Sequence, residues 1–303
     1  MPYDNYDFTA VYTEDLPQEG ELISPDVKCL YRTKSTPAGE MMEVSAYPSF
    51  LNRQDYSRAK KVKPSRKEQR NLNEANARKK IIRKINANFT TDDLWGTLGW
   101  DNERQPPTMD DAYRQVDNWI SRVNYHGRKT GLPLLKYMYT VEETEGRPEK
   151  GEPPIKYHVH IVMDGLHDRD TLEKLWDGGE YPQTRRLRVR DFGGLTGMAT
   201  YVAKNPDGKK RWRQSRHLKE WTRKPTRSYN RFTKGKINKI VEMLRNSESL
   251  KDVFERAYPG YAYSDEYPCE VKYNQHVGGY YLYCRMYRRR FTESGPPIKK
   301  KRR

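Results

Sequence analysis

Residues 92 to 208 predict an α+β fold. They read as one antiparallel four-stranded sheet with two helices on one face, the ferredoxin-like (RRM-like) split βαβ arrangement, with extensions at both ends. Three observations carry this. Apolar and polar residues alternate in four short runs, as in half-buried strands. Two stretches with helical spacing of apolar residues fall between the first and second runs and between the third and fourth. Cap and turn residues separate the elements, giving the order β-α-β-β-α-β followed by one more helix. In that topology the first and third strands are central, the second and third form a hairpin, and the face away from the two helices is free.

Ahead of this core, residues 1–26 are acidic and tyrosine-rich, with Asp4, Asp7, Glu14, Asp15, Glu19, Glu21 and Asp26 and no Lys or Arg, and read as a flexible segment without an apolar signal region. Within 27–88, Lys28–Arg32 and Met41–Tyr47 read as short strands around a Pro37-Ala38-Gly39 turn. A basic linker follows, then a helix with Leu72, Ala75, Ile82, Ile85 and Phe89 on one face. Its opposite, basic face suits either a DNA backbone or plain solvation.

The core takes residues 89–208. Asp92–Trp100 is strand-like. Thr108 caps a helix with Asp110 and Asp111 in its first turn, a stripe of Ala112, Val116, Trp119, Ile120 and Val123, and Gly131 at its end. Leu134–Glu143 is the second strand, and a loop at 144–154 leads to the third, which stops at Asp164-Gly165. Asp168–Asp177 makes a short helix, Thr184–Arg190 the fourth strand, and Gly193-Gly194 opens a further helix. Residues 209–290 hold a basic segment, a helix over Lys236–Arg256 and an aromatic hairpin, Tyr267–Tyr273 with Gly279–Arg288. That hairpin has three open placements: back on the sheet, beside the N-terminal strands, or as a recognition or oligomer surface. A basic tail, 291–303, closes the chain and suits a DNA-binding arm or a nuclear import signal, the arm being preferred.

Charge points to the partner. The 303 residues carry a formal charge of +17 and a pI near 9.6, which calls for a polyanion. The basic residues cluster at 53–84, at 209–231 and in the tail. In the second cluster Lys209, Lys210, Arg211, Arg213, Arg216, Lys219, Arg223, Lys224, Arg227 and Arg231 are interleaved with Trp212, Trp221, Tyr229 and Phe232. Rings that stack on bases among cations that meet phosphates describe a nucleic-acid surface. Cys29, Cys269 and Cys284 are too few and scattered for a disulfide framework or a cysteine zinc site. No run is long and apolar enough to span a bilayer, and a cytoplasmic location is expected.

The candidate chemistry sits in the third strand, Lys156-Tyr157-His158-Val159-His160-Ile161-Val162-Met163. Side chains two apart share a face and lie about 7 Å apart, so His158 and His160 together can grip one divalent cation. The hairpin partner ends in two carboxylates. If Tyr137, Tyr139 and Val141 join the core with Val159 and Ile161, parity places Glu142, rather than Glu143, beside the histidines. A histidine/carboxylate set with open positions suits Mn²⁺ or Mg²⁺ acting on a phosphate, with zinc a less favoured alternative. His126, His167, His217 and His276 read as surface or packing residues. Tyr201 and Lys204 lie three apart on the helix after the fourth strand, about 4.5 Å apart along its axis. A tyrosine has an unperturbed pKa near 10, so only about one in a thousand is ionised at pH 7. A cation at the phosphate and an ammonium beside the ring would supply the missing activation.

These residues carry a family resemblance. His158-Val159-His160 is similar to the histidine–hydrophobic–histidine signature of the HUH endonucleases, and Tyr201-Val202-Ala203-Lys204 to the Tyr-x-x-Lys motif of their single-tyrosine branch. Thr97-Leu98-Gly99-Trp100 resembles a Thr-Leu-Thr-Tyr type first motif and departs from it at its last two positions. The layout from about residue 28 to 290 resembles rolling-circle replication initiators of bacterial plasmids and phages. The resemblance implies metal-dependent nicking and joining of single-stranded DNA at a replication origin. Tyr201 would form a 5′-phosphotyrosine and free a 3′-OH primer; His158, His160 and Glu142 would hold the metal; Lys204 would position or neutralise the reaction centre. A host polymerase would extend the primer. A host helicase would unwind, because no Gly-x-x-x-x-Gly-Lys loop is present. Rival readings are a relaxase or single-tyrosine transposase of the same superfamily, a non-enzymatic ferredoxin-like nucleic-acid-binding module, and a metal hydrolase using water.

Overall fold

The computed structural model describes residues 29–50, 66–147, 149, 153–179, 182–190, 193–203, 212–274 and 279–289. The acidic segment 1–26, the linker cations before residue 66, Lys204, Lys209, Lys210, Arg211 and the basic tail lie outside the described residues. Within them the chain is α+β, with two antiparallel sheets and six α-helices. No helix of the described residues is long and apolar enough to cross a membrane.

Strands β1 (Cys29–Ala38) and β2 (Met41–Phe50) form a hairpin. They are longer than the sequence pattern suggested, because Pro37 and Ala38 stay in register with Met42 and Met41. The turn needs Gly39: its φ is +60°, and a Cβ there would lie 1.8 Å from the Asn86 carbonyl oxygen. Helix α1 (Arg66–Asn88) follows, then β3 (Leu94–Gly99) and α2 (Met109–Thr130). Thr108 Oγ1 accepts from the Asp111 amide at 3.1 Å and Gly131 closes α2 in the left-handed region at φ 76°, so both ends have the caps the sequence announces.

The chain continues through β4 (Tyr137–Glu145), β5 (Ile155–Met163), α3 (Arg169–Lys174), β6 (Gln183–Arg186) and α4 (Thr196–Val202). Beyond these lie β7 (Arg213–Gln214), β8 (Thr226–Ser228), α5 (Lys234–Arg245), α6 (Lys251–Ala257), β9 (Tyr261–Tyr263), β10 (Glu270–Asn274) and β11 (Gly279–Arg288).

One sheet has the order β6-β3-β5-β4-β7, the other β10-β11-β2-β1-β8 with β9 added on β11. The first therefore has five strands where four were expected, because the basic segment returns to pair Arg213 and Gln214 with Tyr139 and Met138. Its fourth strand is also shorter than Thr184–Arg190: after Arg186 the chain turns inward, and Leu187 enters the core. The aromatic hairpin joins the N-terminal strands, Tyr287 opposite Met41 and Leu282 opposite Ala46.

On one face of the five-stranded sheet, Leu98, Val141, Val159 and Ile161 pack against Trp119 and Val116 of α2 and Leu172 of α3. The opposite face is not free. Ile82, Ile85 and Phe89 around α1 and Ala199 and Val202 of α4 cover Trp95, Met138 and Val162 there, and the same cluster takes Ala38, Met41 and Tyr287 from the six-stranded sheet. Helices α1 and α4 are thus held between the two sheets. Part of the basic face of α1 is accordingly engaged within the protein, while Arg78 and Lys80 stay exposed. Arg83 Nε donates to Glu43 at 2.7 Å, Lys84 Nζ to Gln214 at 3.1 Å, and Lys79 lies 3.7 Å over the Tyr283 ring. Burial lowers the Lys79 pKa, as desolvation of an ammonium does.

A candidate metal centre beside an exposed tyrosine

Where α1 and α4 stop covering the sheet, one polar corner is left. Strand parity builds it. Val159 and Ile161 point into the α2 side, so His158 and His160 emerge on the other. In the register of β4 and β5, Glu142 stands opposite His158 and Thr140 opposite His160. Glu142 Oε2 lies 3.1 Å from His158 Nε2 and 2.9 Å from His160 Nε2. One ligand atom from each of the three residues falls within 4.8 Å of the others, so the group could hold a metal ion. The chemistry of the set fits a divalent cation: two imidazole nitrogens and one carboxylate oxygen converge from a rigid sheet rather than from loops. The side chains are 27%, 13% and 32% exposed for His158, His160 and Glu142, which leaves an approach from solvent.

Trp95 stacks on His160 with centroids 5.5 Å apart and planes 23° from parallel, fixing the imidazole that is more deeply set. The sequence reading passed over this residue, although its place two positions before Thr97 puts it on the histidine face.

Tyr201 ends the same corner. It is 50% exposed, and its ring centroid lies 6.2 Å from that of His160. Its helix is short and needs anchors. Asn86, 4% exposed on α1, accepts the Leu195 amide at 3.0 Å and donates to the Ile82 carbonyl at 2.9 Å. Thr196 Oγ1 pairs with the Tyr287 hydroxyl at 2.8 Å. Gly194 has φ +53°, and a Cβ on it would lie 2.7 Å from Asn86 Oδ1, so the Gly193-Gly194 pair is a conformational need and a close approach together. Asn86 carries a readable signal, an amide four residues after Ile82 on the apolar stripe of α1, but its partner 109 positions away is not readable.

The predicted DNA-binding residues separate into two groups. Arg213 pairs with Asp117 and lies 4.7 Å over the Tyr113 ring. Arg231 donates to the Ala257 carbonyl and lies 4.4 Å over Tyr258. Both hold the fold. Arg216, Lys219, Arg223, Lys224 and Arg227 are exposed, along with Trp221. They lie on one strap, 212–228, that forms β7 at an edge of one sheet and β8 at an edge of the other. Comparison with known proteins adds no relative: no protein-family model, curated protein or solved structure matches the chain.

Proposed function

We propose that the chain nicks and rejoins single-stranded DNA through Tyr201, acting as a rolling-circle replication initiator at an origin. The observation that carries the reading is the exposed tyrosine ring set against His160 of the Glu142/His158/His160 cluster. Strands β6-β3-β5-β4, with α2 and α3 in the connections, support reading that part of the sheet as ferredoxin-like. Mn²⁺ or Mg²⁺ bound by Glu142, His158 and His160 would supply charge stabilisation at a phosphate oxygen.

The protein's own residues do the rest. The Asn86 and Tyr287 anchors hold α4 so that the phenol faces the cluster instead of the core. Trp95 and the sheet backbone keep His160 in place. The strap cations neutralise successive phosphates and feed the strand toward the corner. The Tyr201 oxygen forms its bond to phosphorus as the bond to the 3′-oxygen breaks, the phenolic proton being balanced by the one that the leaving oxygen gains. Because the ester becomes a phosphotyrosine, a second 3′-OH can reverse the step without other energy input.

The test is a denaturant-resistant protein–DNA band formed with Mn²⁺ and a pool of labelled single-stranded oligonucleotides. Tyr201→Phe should abolish it, and His158→Ala or His160→Ala should suppress it while binding persists. Cleavage that survives Tyr201→Phe without any adduct would replace this reading with hydrolysis by water.

A further inference from the structure

Next to the histidine cluster, along the β6 edge of the five-stranded sheet, runs a cleft of about 490 Å³. Its position follows from register. Gln183 stands opposite Thr97, which stands opposite His160; one row further, Arg185 stands opposite Trp95. Directly paired residues share a face, so Gln183, Thr97 and Arg185 lie on the histidine side, with Thr97 about 4.8 Å, one strand spacing, from His160. Gln183, Thr97 and Arg185 all line the cleft. Gln183 and Arg185 are exposed. Among the described residues, none of these three side chains has a hydrogen-bond or ion-pair partner within the protein.

The edge strand that presents them is pinned by Thr184, Arg169 and Glu173, which also line the cleft. Thr184, on the opposite face, takes the Arg169 Nε at 3.0 Å, and its carbonyl takes Arg169 Nη2 at 2.6 Å. Its amide donates to Glu173 Oε1 at 3.2 Å. Those bonds fix the edge strand and engage Glu173, the carboxylate lining the cleft, so an anion entering it meets a carboxylate already bonded to Thr184 and near Arg169.

We propose that this cleft is a nucleotide subsite that selects the base next to the cleaved phosphodiester. Gln183 and Thr97 bond the base edge and Arg185 holds the adjoining phosphate. An amide offers a donor and an acceptor side by side, the pattern a base edge presents. A guanidinium offers the paired donors that suit a phosphate. The proposal rests on the nicking reading of the neighbouring corner and adds to it the residues that choose the sequence.

Binding without cleavage tests it. The probes are dye-labelled octanucleotides of dA, dC, dG and dT, titrated by fluorescence anisotropy at near-physiological salt against the Tyr201→Phe protein. One base should bind about fivefold or more tighter than the weakest, the scale of one paired base contact. Adding Gln183→Ala should bring the four within about twofold of one another. Adding Arg185→Ala should weaken all four about three- to tenfold and keep their order, as loss of a phosphate contact does. Arg223→Ala on the strap should also keep the order, which marks the preference as the cleft's own. Equal affinities for the four probes at the outset would overturn the proposal, as would a preference untouched by Gln183→Ala or affinities untouched by Arg185→Ala. The nicking reading fails separately, by the absence of a covalent band with Tyr201 intact, and that result leaves the binding outcome standing.

Discussion

Replacing Asn86 by Ala should detach the tyrosine from its corner without removing any side chain proposed to touch DNA. Asn86 bonds two groups, and they are not equal. The Ile82 carbonyl keeps its helical partner in α1, so its loss matters little. The Leu195 amide precedes the first turn of α4, where no intrahelical acceptor exists, and Leu195 is 1% exposed. Stranding a buried donor costs about 1–3 kcal/mol, or about five- to 150-fold in the population of docked helix. Covalent adduct formation should therefore slow by up to that factor. Oligonucleotide affinity should stay within about twofold, because no strap residue bonds Asn86. The assay is single-turnover adduct formation with Mn²⁺, run beside anisotropy binding and thermal melting. Unchanged adduct rates would refute the anchoring role. An equal fall in rate and binding would also refute it, because the damage would then be general.

Three further outcomes are expected. Mn²⁺ should raise the melting temperature of the parent protein, and Glu142→Ala should abolish that rise and weaken Mn²⁺ binding more than about a hundredfold by calorimetry; retained affinity would remove the cluster as a metal site. Arg223→Ala, Lys224→Ala and Arg227→Ala together should lower the slope of log affinity against log salt by about 2, near 0.7 per lost single-strand contact, and an unchanged slope would move the DNA elsewhere. His167 is buried, and burial lowers its pKa below the ordinary histidine value. The unfolded chain thus binds a proton that the folded one refuses. Its contribution to stability is whole above about pH 6.5 and declines as pH falls from there toward the folded value. Urea titrations between about pH 7 and 5 should show a flatter decline in His167→Leu than in the parent.

What was legible in the sequence was local. The Thr108 cap, the Gly131 stop and the stripe from Ala112 to Val123 specify α2 almost to the residue. Strand alternation alone puts Glu142 on the face of His158 and His160, because parity needs no knowledge of distant partners. Long-range placement was not legible. A two-residue strand such as Arg213–Gln214 has too short a pattern to read. The pairing of β2 with β11 joins segments some 240 positions apart, and nothing in either states the register. Helix α1 was legible only in part. Its lysines and arginines suggested solvent or DNA, and Arg78 and Lys80 are exposed, whereas Arg83 meets Glu43 and Lys79 meets an aromatic ring, contacts that exist only once the six-stranded sheet lies against it.

The double duty of residues 212–228 has a consequence for how the molecule fails. An outermost strand shields a row of amides and carbonyls that would otherwise pair with any passing chain. Here one continuous stretch guards a flank of both sheets. Peeling it away bares two such rows in a single event, so a proteolytic cut near Arg223 would yield a species inclined to self-associate. A DNA strand lying along the same stretch, as proposed above, would oppose that peeling, a protective effect separate from the chemistry.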